Sequence, residues 1–140
     1  MNREQLLEHH DHLSTTAKDI MKKKNHDYAG KGGETPFANF ERCESMGVCS
    51  TEQGFLVRVI DKVSRLSTFV DAGKLKVDNE SYEDAVLDII NYMILFSGYV
   101  SSKQEQKDEM TILNENTQRE EYLYSNGVQS PRHVDMGVDC

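Results

Sequence analysis

The chain has 140 residues, enough for one domain that buries a core without disulfides or structural metal. Its formal net charge of −8 argues against binding to duplex DNA or to a membrane of anionic lipid, because both need a basic face on the protein. We expect neither a secretory nor a transmembrane segment, and three cysteines in such a chain predict a reducing, cytoplasmic setting without a disulfide framework.

Apolar residues at helical spacing predict a first helix over about residues 3–24. They are Leu6, Leu13, Ala17, Ile20 and Met21. The segment that follows contains three glycines and Pro36, so we expect the helix to stop there and a flexible loop to border a ligand or connect two helices. A short helical piece is predicted from Pro36 to Met46.

A third helix is predicted from Thr51 to about Ala72. Ser50 precedes Gln53 by three residues, which is the spacing of a capping box at a helix N-terminus. Gly73 is expected to end the helix. The apolar residues of this segment fit one helical face, and four charged residues gather on the opposite or flanking face. These charged residues are Arg58, Asp61, Lys62 and Arg65.

A fourth helix is predicted from near Glu80 to about Lys103, and it carries a polar stripe on an apolar background. Asp84, Asp88 and Asn91 follow one another at steps of four and three, which places them on one helical face. Ionised groups in an apolar setting must be paired, hydrogen-bonded or bound to metal. The stripe therefore needs a partner.

No stretch shows the alternation of a strand, so we predict an all-α protein, a helical bundle of about four main helices with a partly extended C-terminal tail. The α-helical domain is expected to cover residues 1–103. Residues 104–140 are rich in Glu, Asn, Gln and Ser and are predicted to form an acidic, partly disordered tail that packs on a neighbouring subunit.

Carboxylates are available from two helices that a short connection should make antiparallel. The third helix offers Glu52 and Asp61, and the fourth offers Glu83, Asp84 and Asp88. If they converge on one cleft, their oxygens suit Mg²⁺ or Mn²⁺, which prefer carboxylates, water and substrate phosphates. Such a cluster predicts phosphate chemistry.

The basic residues of the third helix allow two interpretations. Arg58, Lys62 and Arg65 could bind phosphate oxygens, with arginine pairing in bidentate fashion and lysine acting as a point charge. Alternatively, they pair with the same carboxylates in a buried polar network that holds no ligand. The residue types alone favour neither interpretation.

Three sequence blocks, taken in their order and spacing, carry a family resemblance. They are Lys24-Asn25-His26-Asp27-Tyr28, Asp61-Lys62-x-x-Arg65-Leu66 and Glu83-Asp84-x-x-x-Asp88-Ile89-x-Asn91-Tyr92. Together these blocks resemble the signature of the nucleotide modification associated domain 1 family of phages and bacteria. That family is similar in character to the all-α nucleoside triphosphate pyrophosphohydrolases of the MazG and dimeric dUTPase type, which are Mg²⁺-dependent and oligomeric.

The resemblance implies a protein that acts on or binds a nucleotide, and it suggests roles for the carboxylates. Asp61, Asp84 and Asp88 would be the metal ligands for Mg²⁺ or Mn²⁺. Glu52 or Glu83 would be the catalytic base that activates the attacking water.

The same resemblance suggests which residues contact the substrate. Lys62 and Arg65, with Arg58, would bind phosphates. Asn25 and Asp27 would hydrogen-bond the base or ribose, and Tyr28 would stack on the base, although Asn25 could instead cap the first helix. The remaining substrate-binding candidate is Asn91.

We therefore expect a Mg²⁺-dependent nucleoside triphosphate pyrophosphohydrolase of phage-type nucleotide metabolism. Two alternatives stay open: a non-catalytic protein that sequesters or senses a nucleotide, and a helical interaction module with a buried ion network. The chain is expected to form a homodimer or higher homo-oligomer in the cytoplasm, which is the host cytoplasm if the protein is phage-encoded.

Overall fold

The computed structural model describes the backbone of residues 1–28, 35–73 and 81–127, and their side chains except those of 25–28. Within these ranges there is no strand, which confirms the all-α prediction. The chain divides into two compact units, Met1–Val100 and Ser101–Cys140, which we describe separately. The described residues form four helices: α1 (Arg3–Tyr28), α2 (Ala38–Ser45), α3 (Thr51–Ala72) and α4 (Tyr82–Ser125).

Helix α3 begins and ends where the sequence predicts, because both of its caps form. The Ser50 hydroxyl accepts a hydrogen bond from the Gln53 backbone N–H at 3.2 Å, and the Gln53 side chain accepts one from the Ser50 N–H at 3.0 Å. At the other end Gly73 adopts the left-handed conformation, with φ of 70°, and donates to the Phe69 carbonyl. A glycine adopts this conformation without a Cβ clash.

Aromatic rings from three elements form the core of the first unit. Phe40 of α2 stacks on Phe55 of α3, with 3.8 Å between ring centroids. Phe55 is completely buried, and Phe96 and Tyr99 of α4 approach the same ring. Such ring pairs add to the large apolar area that each side chain buries. They hold α2 against both α3 and α4.

Helices α3 and α4 run antiparallel within the first unit, as the sequence predicts for a short connection. The N-terminal Phe55 of α3 lies 5.9 Å from Phe96 of α4, and the C-terminal Phe69 of α3 lies 4.8 Å from Tyr82 at the start of α4. This arrangement brings the middle of α3 beside the second turn of α4, where Lys62 meets Asp88.

The backbone of α1 remains helical through Tyr28, so the predicted end at Lys24 was four residues too early. None of the residues 25–28 is glycine or proline, and the first such residue is Gly30. Polarity alone therefore does not end the helix at Lys24. Asn25 consequently lies within the helix and not at its C-cap.

Helix α4 continues to Ser125, so the prediction of an extended segment from Gln104 was wrong as far as residue 125. Residues 99–125 include no glycine or proline, and Glu, Gln, Lys and Leu are good helix formers even where they bury nothing. Gly127, with φ of 70°, follows the helix. The polar composition of this segment therefore indicates solvent exposure and not disorder. Residues 128–140 lie outside the described residues.

One apolar window within α4 is long and apolar enough to cross a membrane by length and composition alone. Core helices of water-soluble proteins meet the same criterion, and 22% of this window is buried in the protein.

The neighbouring helix α3 also exposes large apolar side chains, namely Leu56, Val57, Ile60, Val63 and Val70.

The capping box of α3 yields a prediction about stability. Replacing Ser50 with alanine leaves the Gln53 backbone N–H without its acceptor, so we expect Ser50→Ala to lower the free energy of unfolding by about 1 kcal/mol. Urea denaturation followed by circular dichroism measures the change. Ser67→Ala, at an exposed position in the same helix, should have an effect near zero. Equal losses in the two variants would contradict the capping role.

Candidate functional site

A cavity of about 300 Å³ lies in the first unit and is lined by residues of all four helices and of the segment before α2. Helix α4 contributes Asp88, Asn91, Tyr92 and Leu95. The first three belong to the last of the family-like blocks, and steps of three and four keep the four residues on one helical face. The predicted polar stripe thus borders this cavity from Asp88 onward.

Asp88 is held by two lysines from two other helices. Lys24 of α1 donates to its Oδ1 at 3.0 Å, and the Lys62 Nζ of α3 lies 3.0 Å from its Oδ2. The side chains of Asp88 and Lys62 are only 20% and 14% exposed. The network therefore joins α1, α3 and α4 at the edge of the cavity.

The two lysines also set the protonation of Asp88. Burial by itself raises the pKa of this carboxyl, but the hydrogen bonds and charges of Lys24 and Lys62 outweigh it and hold the pKa below the ordinary 3.8. Asp88 is accordingly an anion at neutral pH.

Asn91 lines the cavity and carries an unsatisfied side-chain amide. The residue is 6% exposed, and neither Nδ2 nor Oδ1 has a hydrogen-bond partner within the described part of the chain. No other side-chain nitrogen or oxygen in those ranges is both buried and unpartnered. Each such group costs about 1–3 kcal/mol relative to a satisfied one. Polar groups in this state call for an explanation, and a missing ligand is one.

The charge of the cavity lining is opposite in sign to that of the chain. Among the described lining residues two are cations, Lys24 and Arg58, and one is a carboxylate, Asp88. The whole chain has a formal net charge of −8. A locally cationic cavity in an acidic protein favours an anionic ligand.

The other predicted metal ligands lie apart from this lining. Asp61 is exposed, and its Oδ2 lies 3.7 Å from Arg65 Nε and 3.9 Å from Lys62 Nζ. Lys62 therefore stands between Asp61 and Asp88. In Asp84, Oδ2 accepts hydrogen bonds from the backbone N–H and hydroxyl of Ser81. Asp84 thus helps to cap the N-terminus of α4.

The two predicted catalytic bases also lie outside the cavity lining. Glu52 is half-buried in the first turn of α3, and Glu83 is exposed in the first turn of α4, where it accepts a hydrogen bond from Tyr82 Oη at 3.3 Å. Acidic residues in a first turn stabilise a helix by interaction with its dipole.

No group of three carboxylate, imidazole or thiol side chains that could hold a metal ion occurs among the described residues. Asp61, Asp84 and Asp88 each have hydrogen-bonding or ionic partners in the protein itself.

The side chains of Asn25, Asp27 and Tyr28 lie outside the described residues. Their backbone continues α1 directly from Lys24, which lines the cavity.

Several lining residues were not singled out from the sequence. Lys24 and Tyr92 belong to the family-like blocks but have no predicted role, and Phe40 lies without one in the predicted short helix. The two rings lie edge to face with centroids 6.1 Å apart. The spacing of Tyr92, four residues after Asp88, was the available signal, since this step stays on one helical face.

No family model, curated protein or solved structure matches this chain. The resemblance drawn from the three sequence blocks therefore stays a prediction.

The low pKa of Asp88 yields a prediction about pH. A carboxyl with a depressed folded-state pKa stabilises the fold above its unfolded-state pKa, and this contribution disappears as the pH falls through the folded-state value. Asp88→Asn should therefore be less stable than the wild type at pH 7, and the gap should close only below pH 3.8.

Urea denaturation at a series of pH values between about 7 and 3 measures that gap. Asp71→Asn removes an exposed carboxyl from α3 and serves as the control, with little change at any pH. A gap for Asp88→Asn that is absent at neutral pH would contradict the stabilising role of the lysine contacts.

Proposed function

We propose that this protein binds a nucleotide in the cavity bordered by Asp88 and Asn91. The observation that carries the proposal is the combination in one cavity of a buried, unpartnered amide, aromatic side chains and two cations. Ligand sites are typically concave and largely apolar, with a few converging polar groups. A nucleotide has the matching parts, namely a flat heterocycle with hydrogen-bonding edges and an anionic phosphate chain.

Arg58 and Lys24 are best placed to bind the phosphates, since both line the cavity. A guanidinium matches phosphate oxygens in bidentate geometry, and an ammonium adds a compact charge. Lys62 and Arg65 were the phosphate ligands expected from the sequence. Neither of them lines the cavity. Lys62 pairs with Asp88 and Arg65 lies beside Asp61, so a supporting role in the ion network suits both.

The reaction that we propose for this site is hydrolysis of a nucleoside triphosphate with release of pyrophosphate. It follows from the family resemblance, and the requirement for Mg²⁺ or Mn²⁺ rests on the resemblance alone. Divalent cations supply charge neutralisation of the phosphates and an acidified water when they take part in such reactions. Asp88 is the one carboxylate among the described lining residues.

A protein that sequesters or senses a nucleotide without hydrolysis is the second candidate. The engagement of both Asp88 oxygens by lysines favours it, because a carboxylate so occupied has less capacity to bind a metal ion. The sequence points the same way. The pyrophosphohydrolases carry E-x-x-E on one helix and E-x-x-D on the next, whereas Glu52 and Asp61 here are nine residues apart.

One experiment separates these candidates. The protein is incubated with a panel of ribo- and deoxyribonucleoside triphosphates, with Mg²⁺, with Mn²⁺ or with EDTA, and binding and products are followed by calorimetry and chromatography. Pyrophosphate release that Asp88→Ala abolishes supports the enzyme. Tight binding with recovery of intact nucleotide supports the sequestering protein. If no nucleotide binds or raises the melting temperature at saturating concentration, the interaction module is the surviving alternative.

Arg58 gives the sharpest prediction for the phosphate end of the site. Arg58→Gln removes a charge-assisted hydrogen bond worth roughly 1.5–3 kcal/mol, so the Kd for a bound nucleoside triphosphate should rise at least about tenfold. Arg42→Gln removes the same charge from an exposed position of α2 outside the cavity lining and should leave the Kd unchanged. Equal effects of the two substitutions would indicate general electrostatic attraction and contradict specific binding by Arg58.

We also propose a cytoplasmic homodimer or higher homo-oligomer. The exposed apolar side chains of α3 support this proposal, because water-soluble monomers rarely present so many on one helix. Ile60, which is 63% exposed, lies near the middle of this surface. Sedimentation equilibrium without detergent should give at least twice the monomer mass, and Ile60→Glu should shift the protein toward monomer. A wild-type monomer that partitions into liposomes would contradict the proposal.

A further inference from the structure

The amide of Asn91 can be satisfied by only a few kinds of ligand. It offers an acceptor oxygen and a donor nitrogen side by side in one plane. Asn91 lines the cavity, and both amide atoms are buried without a partner among the described residues. The complement is a planar edge that carries a donor next to an acceptor. A phosphate offers acceptors only, and an apolar ring offers neither.

The surroundings of Asn91 favour a flat aromatic ring as the bearer of that edge. Tyr92 follows it in α4, and both Tyr92 and Phe40 line the same cavity with Leu95. Heterocycles bury their faces against aromatic side chains and keep their hydrogen bonds in the ring plane. The edge that carries a donor beside an acceptor is the pairing edge of a nucleobase, such as N3–H and O4 of uracil or N1 and the amino group of adenine.

We propose that Asn91 binds the pairing edge of the nucleobase and is the residue that discriminates against bases substituted on that edge. This inference rests on the proposed nucleotide function, and it assigns Asn91 to the part of the same site that binds the base. The ligand class that follows is nucleotides with an unsubstituted pairing edge. A base that is methylated on that edge loses a donor or an acceptor and leaves the Asn91 amide unsatisfied, which is the strongest form of discrimination that a polar pocket achieves.

The test compares each nucleoside triphosphate with its edge-methylated analogue, for example UTP with 3-methyl-UTP and ATP with 1-methyl-ATP. Calorimetric titration of the wild-type protein should give a Kd at least about tenfold lower for the best unmodified nucleotide than for its analogue. In Asn91→Leu that ratio should fall to about one, because leucine has no preference between the two edges. Asn114→Leu replaces an exposed asparagine of the second unit and should keep the wild-type ratio.

A second substitution keeps the test valid if leucine packs poorly at position 91. Asn91→Asp is nearly isosteric, and its carboxylate offers two acceptors in place of a donor and an acceptor. It should shift the preference toward guanine nucleotides, whose N1–H and 2-amino group are adjacent donors. Circular dichroism confirms the fold of each variant before titration.

The outcomes separate this inference from the proposed function. Suppose that the wild type binds nucleotides and that Arg58→Gln weakens binding, but that Asn91→Leu keeps the discrimination against methylated bases and Asn91→Asp keeps the wild-type base preference. Recognition of the pairing edge by Asn91 is then overturned, while the nucleotide site stands. Equal affinity of the wild type for methylated and unmodified bases also overturns the inference. If no nucleotide binds at all, both proposals fall.

Discussion

In the first unit, the arrangement of three helices around the cavity depends on the carboxylate of Asp88, which pairs with side chains of two other helices. Asp88 of α4 pairs with Lys24 of α1 and with Lys62 of α3, and both contacts measure 3.0 Å. An ion pair in a partly buried position adds little net stability, but removal of one partner leaves an uncompensated charge and is costly. The network therefore acts mainly as a constraint. It links three helices around the cavity, and Asn91 follows Asp88 by one turn of α4.

The same region contains a group that lowers stability, the unsatisfied amide of Asn91, at the place where the proposed function needs a free hydrogen-bonding group. The aromatic core around Phe55 is well packed, yet a buried amide one helical turn from Asp88 has no partner among the described residues. Buried polar groups without partners tend to be tolerated at functional sites, because an unsatisfied, preoriented group binds its ligand without first having to break existing contacts. A purely structural network would have satisfied Asn91 as it satisfies Asp88. This contrast is why we favour a ligand site over an interaction module.

The sequence predicted those parts of the fold that depend on local signals. Ser50, Gln53 and Gly73 set both ends of α3, and the steps from Asp88 to Asn91 gave the face of α4 that borders the cavity. The contacts that the sequence did not reveal join residues that are distant in the chain. Lys24 contacts Asp88 across 64 residues, and such a contact follows from packing, which no spacing rule encodes. Asp84 is a different case, because Ser81 stands three residues before it, and this spacing of a capping box indicates the local contact that the two residues form.

The direct test of the nucleotide site is the side-chain amide signal of Asn91 in a ¹⁵N-labelled protein during titration with the tightest-binding nucleoside triphosphate. Our account predicts that both NH₂ resonances of Asn91 shift on saturation and that their exchange with water slows, because the nitrogen gains an acceptor. The exposed amides of Asn114 and Asn116 should stay unchanged. Saturable binding that leaves the Asn91 resonances unmoved would contradict the account.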